Sequence, residues 1–267
     1  MNCKICGAES SHLFKGEILN KYEIDYFQCT NCEFIQTEKV YWLEEAYSSA
    51  ITDLDLGYIT RNLMFGEIVG RIIKSWFNSK GKFIDYGGGY GMFVRLMRDR
   101  GFNYYRQDIY CENTFANHFD IEDLEQKTGF EILSAFEVFE HLDDPMAEME
   151  MMLSYSDSII FSTELQPKKD FKSQKDWWYF APYGGQHIAL YSYKSLEHMA
   201  KHFGLNLYSN KKGLHLLTKK KFGTNPVKLV SRFYYIYNKL FSRFFFNKNS
   251  FLPKDSDHLR KTLVRNQ

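Results

Sequence analysis

The run KFIDYGGGYGMF at residues 82–93 constrains the fold more than any other stretch of the chain. A short apolar strand meets three consecutive glycines, with a fourth two residues on, so bare backbone is placed where something must approach closely. A dinucleotide turn has the spacing G-x-G-x-x-G/A, whose last small residue permits a helix to pack on the strand. Counted from Gly87, that position falls on Met92, which is too large. Read as acid-x-G-x-G-x-G, the stretch Asp85-Tyr86-Gly87-Gly88-Gly89-Tyr90-Gly91 fits at every place. The alternative is a glycine-rich structural turn.

The surroundings define an architecture. From residue 82 to about 220, the apolar runs KFIDY, YYRQD, FEILSAF and DSIIFST alternate with helical patterns at 91–100, 143–153 and 192–203. Such alternation predicts an α/β fold, a doubly wound, Rossmann-like, mostly parallel sheet covered on both faces. LNLYS and GLHLLTKK, meeting around Lys211–Gly213, predict an antiparallel hairpin at the carboxyl-terminal end of that sheet. The division expected is 1–40, 41–80 (a helical connector or lid), 81–221 (the sheet domain) and 222–267 (a tail).

Chemistry concentrates in three further places. YYRQD ends in Asp108, about twenty residues beyond the glycines, where an acid can accept the two hydroxyls of a ribose. FEILSAFEVFEHLDDP (130–145) brings Glu137 and His141 to one face if the segment has already turned helical. DWWYFAPYGGQHIALYSYKSL (176–196) carries two tryptophans, paired glycines and a histidine on one loop. That is poor core material and a good flat wall for a sugar or similar ring, contributed by Trp177, Trp178, Tyr179, Tyr183, Gln186 and His187.

Cys3-Lys4-Ile5-Cys6 and Cys29-Thr30-Asn31-Cys32 form two CxxC knuckles. Their spacing predicts a structural Zn²⁺ site with four protein ligands and no open position. A disulfide pair is the alternative, against which stands the lack of a secretory signal pattern. Cys111 stands apart as a plain thiol.

The acid-and-glycine turn resembles motif I of the class I methyltransferases, which bind S-adenosylmethionine (SAM). With the CxxC pairs, QTEKVYWLEEAYSSAI (36–51), QDIYCENTFANHFD (107–120), AFEVFEHL and WWYFAPYGGQHIALYS, the chain over about 1–220 resembles a bacterial subgroup. Its members carry an amino-terminal zinc-binding segment and occur in carbohydrate and surface-polysaccharide biosynthesis. Tyr183-Gly184 departs from the acidic or small polar residue expected there. The resemblance implies SAM held by Asp85, Gly87, Gly88, Gly89, Gly91 and Asp108, with Ala135, Phe136 and Glu137 against its methionine end. It implies methyl transfer to a small acceptor, a hydroxyl of a sugar or glycan. Transfer to carbon of a nucleotide-linked keto sugar uses the same base and stays open. His187 is the first choice for that base, His141 with Glu137 or Glu140 the second.

Charge bears on partners. Residues 211–267 hold fourteen lysines and arginines against Asp255 and Asp257, while the preceding 210 residues hold 20 bases and 31 acids. Within 226–247, Lys228, Arg232, Lys239 and Arg243 fall on one stripe with Tyr235 between them. The other faces carry Val227, Leu229, Val230, Phe233, Ile236, Tyr237, Leu240, Phe241, Phe244 and Phe245. This pattern suits a helix lying at a membrane surface, or one packed on its own domain or on a second subunit as a homodimer. Zinc knuckles ahead of a SAM domain also resemble certain ribosomal RNA guanine methyltransferases. Residues 1–40 carry four lysines against six acids, however, which disfavours nucleic acid. An inert scaffold of the same fold would have little need of the intact glycines and Asp108. No stretch is long and apolar enough to span a membrane, and a cytoplasmic protein, peripheral at the inner membrane face through the tail, is expected.

Overall fold

The computed structural model describes residues 1–46, 55–245, 254–255 and 261. Most of the stretch 36–51 is thus seen, whereas residues 47–51 and the end of the basic segment, 246–247, lie outside the described residues.

The chain opens with β1 (Ser10–Ile18), β2 (Tyr22–Cys29) and β3 (Ile35–Thr37), followed by a single helical turn, α1 (Leu43–Ala46), and the long α2 (Tyr58–Trp76). The central sheet is then built by β4 (Lys82–Tyr86), α3 (Met92–Asp99), β5 (Asn103–Gln107), β6 (Ile132–Ala135), α4 (Pro145–Tyr155) and β7 (Ser158–Ser162). A short β8 (Ala189–Leu190), α5 (Tyr193–His202), β9 (Asn206–Ser209), β10 (Leu214–Thr218) and α6 (Pro226–Phe245) complete the chain. The six-stranded sheet runs β5-β4-β6-β7-β10-β9. Its first four strands are parallel, and β10 pairs antiparallel with both β7 and β9. This is the doubly wound sheet with a terminal hairpin that the alternation of patterns predicts.

Side-chain alternation along each strand divides the core. Phe83, Tyr104, Ile132, Ile160, Leu214 and Leu216 face one layer, with Ile68 and Ile72 of α2, Val94 of α3 and Val227 and Val230 of α6. Ile84, Leu133, Ile159, Phe161 and Leu217 face the other, with Met149 and Met152 of α4 and Leu196 and Met199 of α5. Both faces are covered, as a parallel sheet requires.

The cysteine-bearing segment is not a free appendage. β1, β2, β3 and β8 form a second sheet, in which Ile35 pairs with Leu190 and Gln36 with Ala189. Phe34 and three of the cysteines join the core layer of α4 and α5. Ser192 caps α5 at Ser195 N–H while its hydroxyl donates to the Cys32 carbonyl oxygen (2.6 Å). The knuckle is thereby tied to the start of a helix that packs on the central sheet.

α6 differs in part from a uniform surface helix. Val227, Val230 and Ser231 are buried, whereas Leu229, Phe233, Ile236 and Leu240 are exposed. Tyr235 leaves the basic stripe: its hydroxyl approaches Met64 Sδ (3.8 Å) on α2. The side chains of residues 241–245 lie outside the described residues.

Candidate active site

The glycine turn leaves β4 at the carboxyl edge of the sheet. Gly87 (φ 65°), Gly89 (φ 53°) and Gly91 (φ 83°) adopt left-handed backbone. A Cβ on Gly87 would stand 2.7 Å from Val138 Cγ2, and one on Gly91 would stand 2.7 Å from Asn113 Oδ1. On Gly89 the nearest atom would be Tyr58 Oη at 3.9 Å, so Gly89 alone of the three presents its bare face to open space. Gly91 caps α3 instead of facing the cleft.

Beneath the turn the carboxylates are tightly placed. Asp85 is buried and accepts from Ser134 Oγ (2.6 Å). Burial pushes its carboxyl up to about 7, with the Asp108 charge adding to the rise and the Ser134 bond opposing it. Asp108 accepts from Gly89 N–H through Oδ2 and from Tyr110 and Cys111 N–H through Oδ1, all at 2.8 Å. It therefore fastens the turn, with one lone pair of Oδ2 remaining for a further donor. Arg106 is the residue the sequence reading missed. Its guanidinium donates to the carbonyl oxygens of Gly89 and Cys111 and to Asp120 Oδ1 (2.7 Å), holding the loop from below. In YYRQD it reads only as a polar residue on a strand.

A cleft of about 990 Å³ opens above the turn. Asp85, Gly87, Gly88 and Gly89 line one end, with Phe136, which stacks on Phe65 of α2 (4.3 Å between centroids). Ala135 is wholly buried in β6 and does not reach the cleft. α2 contributes Tyr58 and Arg61, and Arg61 forms a two-pronged ion pair with Asp55 (2.8 Å). Polar residues on an otherwise apolar-spaced helix were the available signal for both.

Glu137 and His141 do not share a helical face, because the chain turns helical later than expected. Glu137 has φ 54°, and a 3₁₀ turn spans only Phe139–His141. Ser162 Oγ accepts from Glu137 N–H (2.8 Å) and donates to its Oε1 (2.7 Å), pinning this uncommon backbone. Both residues nevertheless line the cleft. Glu140 lies behind them, wholly buried, near the Tyr179 and Thr163 hydroxyls, and among the described residues its two carboxylate oxygens have no hydrogen-bond partner of good geometry. Burial, then the neighbouring Glu137 charge, pushes its carboxyl up to about 8.

The aromatic loop divides its labour. Trp177 is not a wall of the cleft: it is buried with Phe171, Phe180 and Trp42 in the core of the amino-terminal sheet. Tyr179 is also mostly buried, although it borders the cleft, and Trp178 and Tyr183 are exposed at its rim. Gln186 lines the cleft, but its side-chain nitrogen donates to the Ala46 carbonyl oxygen (2.6 Å). His187 Nδ1 lies 2.7 Å from the Tyr179 carbonyl oxygen, and His141 Nδ1 lies 3.1 Å from that of Gln186. The two rings meet edge to face at 5.1 Å. Burial holds both imidazoles below their ordinary range, His187 at about 3 and His141 at about 4, so both are neutral near pH 7.

The cysteines converge apart from the cleft. Cys3, Cys6, Cys29 and Cys32 bring their sulfurs within 4.8 Å of one another. Cys3–Cys32 at 3.6 Å and Cys6–Cys29 at 3.5 Å match the spacing of about 3.8 Å that four sulfurs 2.3 Å from one zinc would have. All four are free thiols, which sets the disulfide alternative aside. Ile5, Asn31 and Cys32 N–H point at Cys3 or Cys29 sulfur (3.4 Å), as thiolates at a knuckle require. The bond from Cys32 lowers the Cys3 thiol to about 5, while the same bond raises Cys32 and burial raises Cys29, so without a cation only part of the cluster ionises. The donor set fits zinc.

A doubly wound sheet, a glycine turn with an acid at each strand tip and a cleft above it define a class I methyltransferase fold. Residues 61–210 match the family described as a methyltransferase domain. That is more than half of the chain, which belongs to this family and is a SAM-dependent methyltransferase. No curated protein matches the chain. It is similar to the plantazolicin methyltransferase BpumL in complex with a monoazolic desmethylPZN analog and SAH, at 12% identity over 71% of this chain and 82% of that one, TM-score 0.46. It is also similar to NcsB1, an O-methyltransferase from neocarzinostatin biosynthesis in complex with S-adenosyl-L-homocysteine and 1,4-dihydroxy-2-naphthoic acid (14% identity, 68% and 62% coverage, TM-score 0.44). CalO1, a methyltransferase in calicheamicin biosynthesis, is matched at 14% identity and TM-score 0.41 over 61% of this chain, which spans 56% of that protein.

Proposed function

We propose that the protein transfers the methyl group of SAM to a hydroxyl of a sugar or glycan acceptor, with His187 taking the hydroxyl proton. The observation that carries this reading is the hydrogen bond from His187 Nδ1 to the Tyr179 carbonyl oxygen (2.7 Å). A carbonyl can only accept, so the proton sits on Nδ1 and the lone pair on Nε2. His187 lines the same cleft as Gly87–Gly89. SAM, when bound, supplies an activated methyl on a sulfonium. Gly89 and its neighbours receive the cofactor on bare backbone, and the remaining Oδ2 lone pair of Asp108 accepts from its ribose. Trp178 and Tyr183 offer flat rim surfaces on which a sugar ring can stack. The residues thus bind and align the acceptor, and proximity supplies most of the acceleration.

In the same reading, Cys3, Cys6, Cys29 and Cys32 hold a structural zinc. The exposed side chains of α6, with Lys228, Arg232 and Lys239, rest on an anionic membrane surface. Since Tyr235 lines the cleft, such contact would set the cleft beside a lipid-linked glycan. No helix among the described residues is long and apolar enough to cross a membrane. The test is methyl transfer from labelled SAM to nucleotide sugars, lipid-linked glycans and RNA in parallel. Label in a sugar hydroxyl is expected. Label only in RNA, or only in a non-sugar acceptor, would overturn the assignment.

A further inference from the structure

We propose that Glu140, His141 and His187 form a second metal site, distinct from the cysteine cluster, which binds a divalent first-row transition cation and presents it to the acceptor oxygen. The binding half stands alone, and the catalytic half rests on methyl transfer from SAM as read above but replaces its proton acceptor, His187, with Glu137.

One ligand atom from each of the three residues lies within 4.8 Å of the others. Bonds of about 2.1 Å place neighbouring ligand atoms about 3 to 4 Å apart, so small rotamer adjustments close the set. The tautomers are already those of ligands. His141 and His187 each commit Nδ1–H to a backbone carbonyl, of Gln186 (3.1 Å) and Tyr179 (2.7 Å). Both therefore carry their lone pair on Nε2, which is how metal-binding histidines are oriented by their outer partners.

The carboxylate supplies the independent observation. Glu140 is wholly buried, and among the described residues neither of its oxygens has a hydrogen-bond partner of good geometry. A buried carboxyl left unmatched is costly unless a proton or a cation answers it. Beside it stand the Tyr179 and Thr163 hydroxyls and the two imidazoles, whose ligand atoms lie within 4.8 Å of its own. The scaffold around the three is rigid, because Ile188 N–H donates to the Glu140 carbonyl oxygen (2.9 Å) and Tyr191 Oη to that of Phe139 (3.0 Å). Glu137 stays outside the ligand set, bonded to Ser162 (2.7 Å) and 3.6 Å from Arg61 Nε.

Two imidazoles and one carboxylate suit Mn²⁺, Fe²⁺, Co²⁺ or Zn²⁺, whereas the four thiolates select zinc. Three protein ligands leave positions open. A hydroxyl bound there loses its proton more readily, and the Glu137 carboxylate in the cleft can receive it. The acceptor oxygen then forms its bond to the methyl carbon as the carbon–sulfur bond breaks, the pair of electrons remaining on the sulfur. In the loaded enzyme His187 serves as ligand, and its role as proton acceptor passes to Glu137.

The test uses the full chain with one zinc in its thiolate site, stripped of weaker metal with EDTA and titrated calorimetrically with Mn²⁺ in the absence of SAM. One further equivalent is expected, weakened at least tenfold in Glu140→Gln and in His141→Ala, with affinity for S-adenosylhomocysteine and far-ultraviolet circular dichroism unchanged. Co²⁺ should give weak visible bands without new sulfur charge-transfer absorption. No binding beyond the zinc equivalent, equal binding by both variants, or a sulfur band from Co²⁺ would overturn the site. Turnover that is the same with and without Mn²⁺ would overturn its catalytic half alone. Failure of SAM binding would strike the methyl-transfer reading and leave the metal titration standing.

Discussion

The buried guanidinium of Arg106 donates from Nε to the carbonyl oxygen of Gly89, the one residue of the turn with an open face. The same side chain also reaches Asp120 and the Cys111 carbonyl oxygen, so a charge that is 4% exposed ties the cofactor turn to the following loop. Arg106→Met leaves Asp120 with Asn113 Nδ2 (2.8 Å) but without its cationic partner, and it frees the turn. Arg106 is buried but Asp120 is 26% exposed, so the loss falls below that of a fully buried pair broken from one side, about 3–5 kcal/mol. A lowered melting temperature is expected together with at least tenfold weaker binding of S-adenosylhomocysteine by calorimetry. Full affinity in the variant would count against this role.

The glycines separate fold from binding. In Gly87→Ala the new methyl meets Val138 Cγ2 at 2.7 Å, and the left-handed backbone adds about 1 kcal/mol. Stability should fall by more than in Gly89→Ala, whose methyl meets nothing closer than 3.9 Å. Gly89→Ala should instead lose most of its cofactor affinity with only about 1 kcal/mol of strain. Paired denaturant melts and cofactor titrations distinguish the two.

Burial also sets a pH profile. Asp85 rises to about 7 in the fold, against about 3.9 unfolded. The native state holds its proton through that window, so the stability contributed by Asp85 is complete below pH 4 and is lost as pH rises to 7. His215 works in the opposite sense. It is wholly buried between Ser209 Oγ (2.9 Å) and the Thr163 carbonyl oxygen (3.0 Å), and burial lowers it to about 4. Below about pH 6.5 the unfolded chain takes up a proton that the native imidazole refuses, so stability falls as pH drops toward 4. Asp85→Asn should flatten the first dependence and His215→Gln the second, read as slopes of unfolding free energy against pH.

The proposed zinc site bears on the His187 end of the cleft more than on the glycine end. Cys29 ends β2, β3 follows the second knuckle, and β3 pairs with β8, next to His187. Cys29→Ser should lose the zinc found by metal analysis and lower the melting temperature. Its Michaelis constant for the acceptor should rise several-fold while cofactor affinity changes less. Equal losses at both ends would mean that the knuckle supports the whole sheet.

What the sequence made legible follows from the range of the forces involved. Local rules placed the glycine turn, the strand–helix alternation and the CxxC pairs, because each is written in neighbouring residues. Trp177 was misplaced because aromatic content cannot tell a pocket wall from a core, and only the fold packs it against Phe171 and Phe180. Arg106 was overlooked because its partners, Gly89 and Asp120, lie on other segments, and Glu140 was read only as orienting His141 because its approach to His187 is set by the fold. The expected helical face linking Glu137 to His141 failed at one backbone torsion, which Ser162 on the next strand holds.

The tail offers a surface test that leaves the core intact. Val227 and Val230 bury the first turns of α6, while Phe233 is 59% and Leu240 59% exposed. Phe233→Glu with Leu240→Glu removes apolar contact and adds negative charge without touching the buried turn. Wild-type protein should sediment with vesicles containing an anionic lipid, less so at higher salt, because lysines and arginines at the surface each contribute about 1 kcal/mol. The double variant should bind at least tenfold more weakly, with its melting temperature within a few degrees of wild type. Equal sedimentation of both proteins, or equal binding to uncharged vesicles, would assign the exposed face of α6 to something other than an anionic membrane.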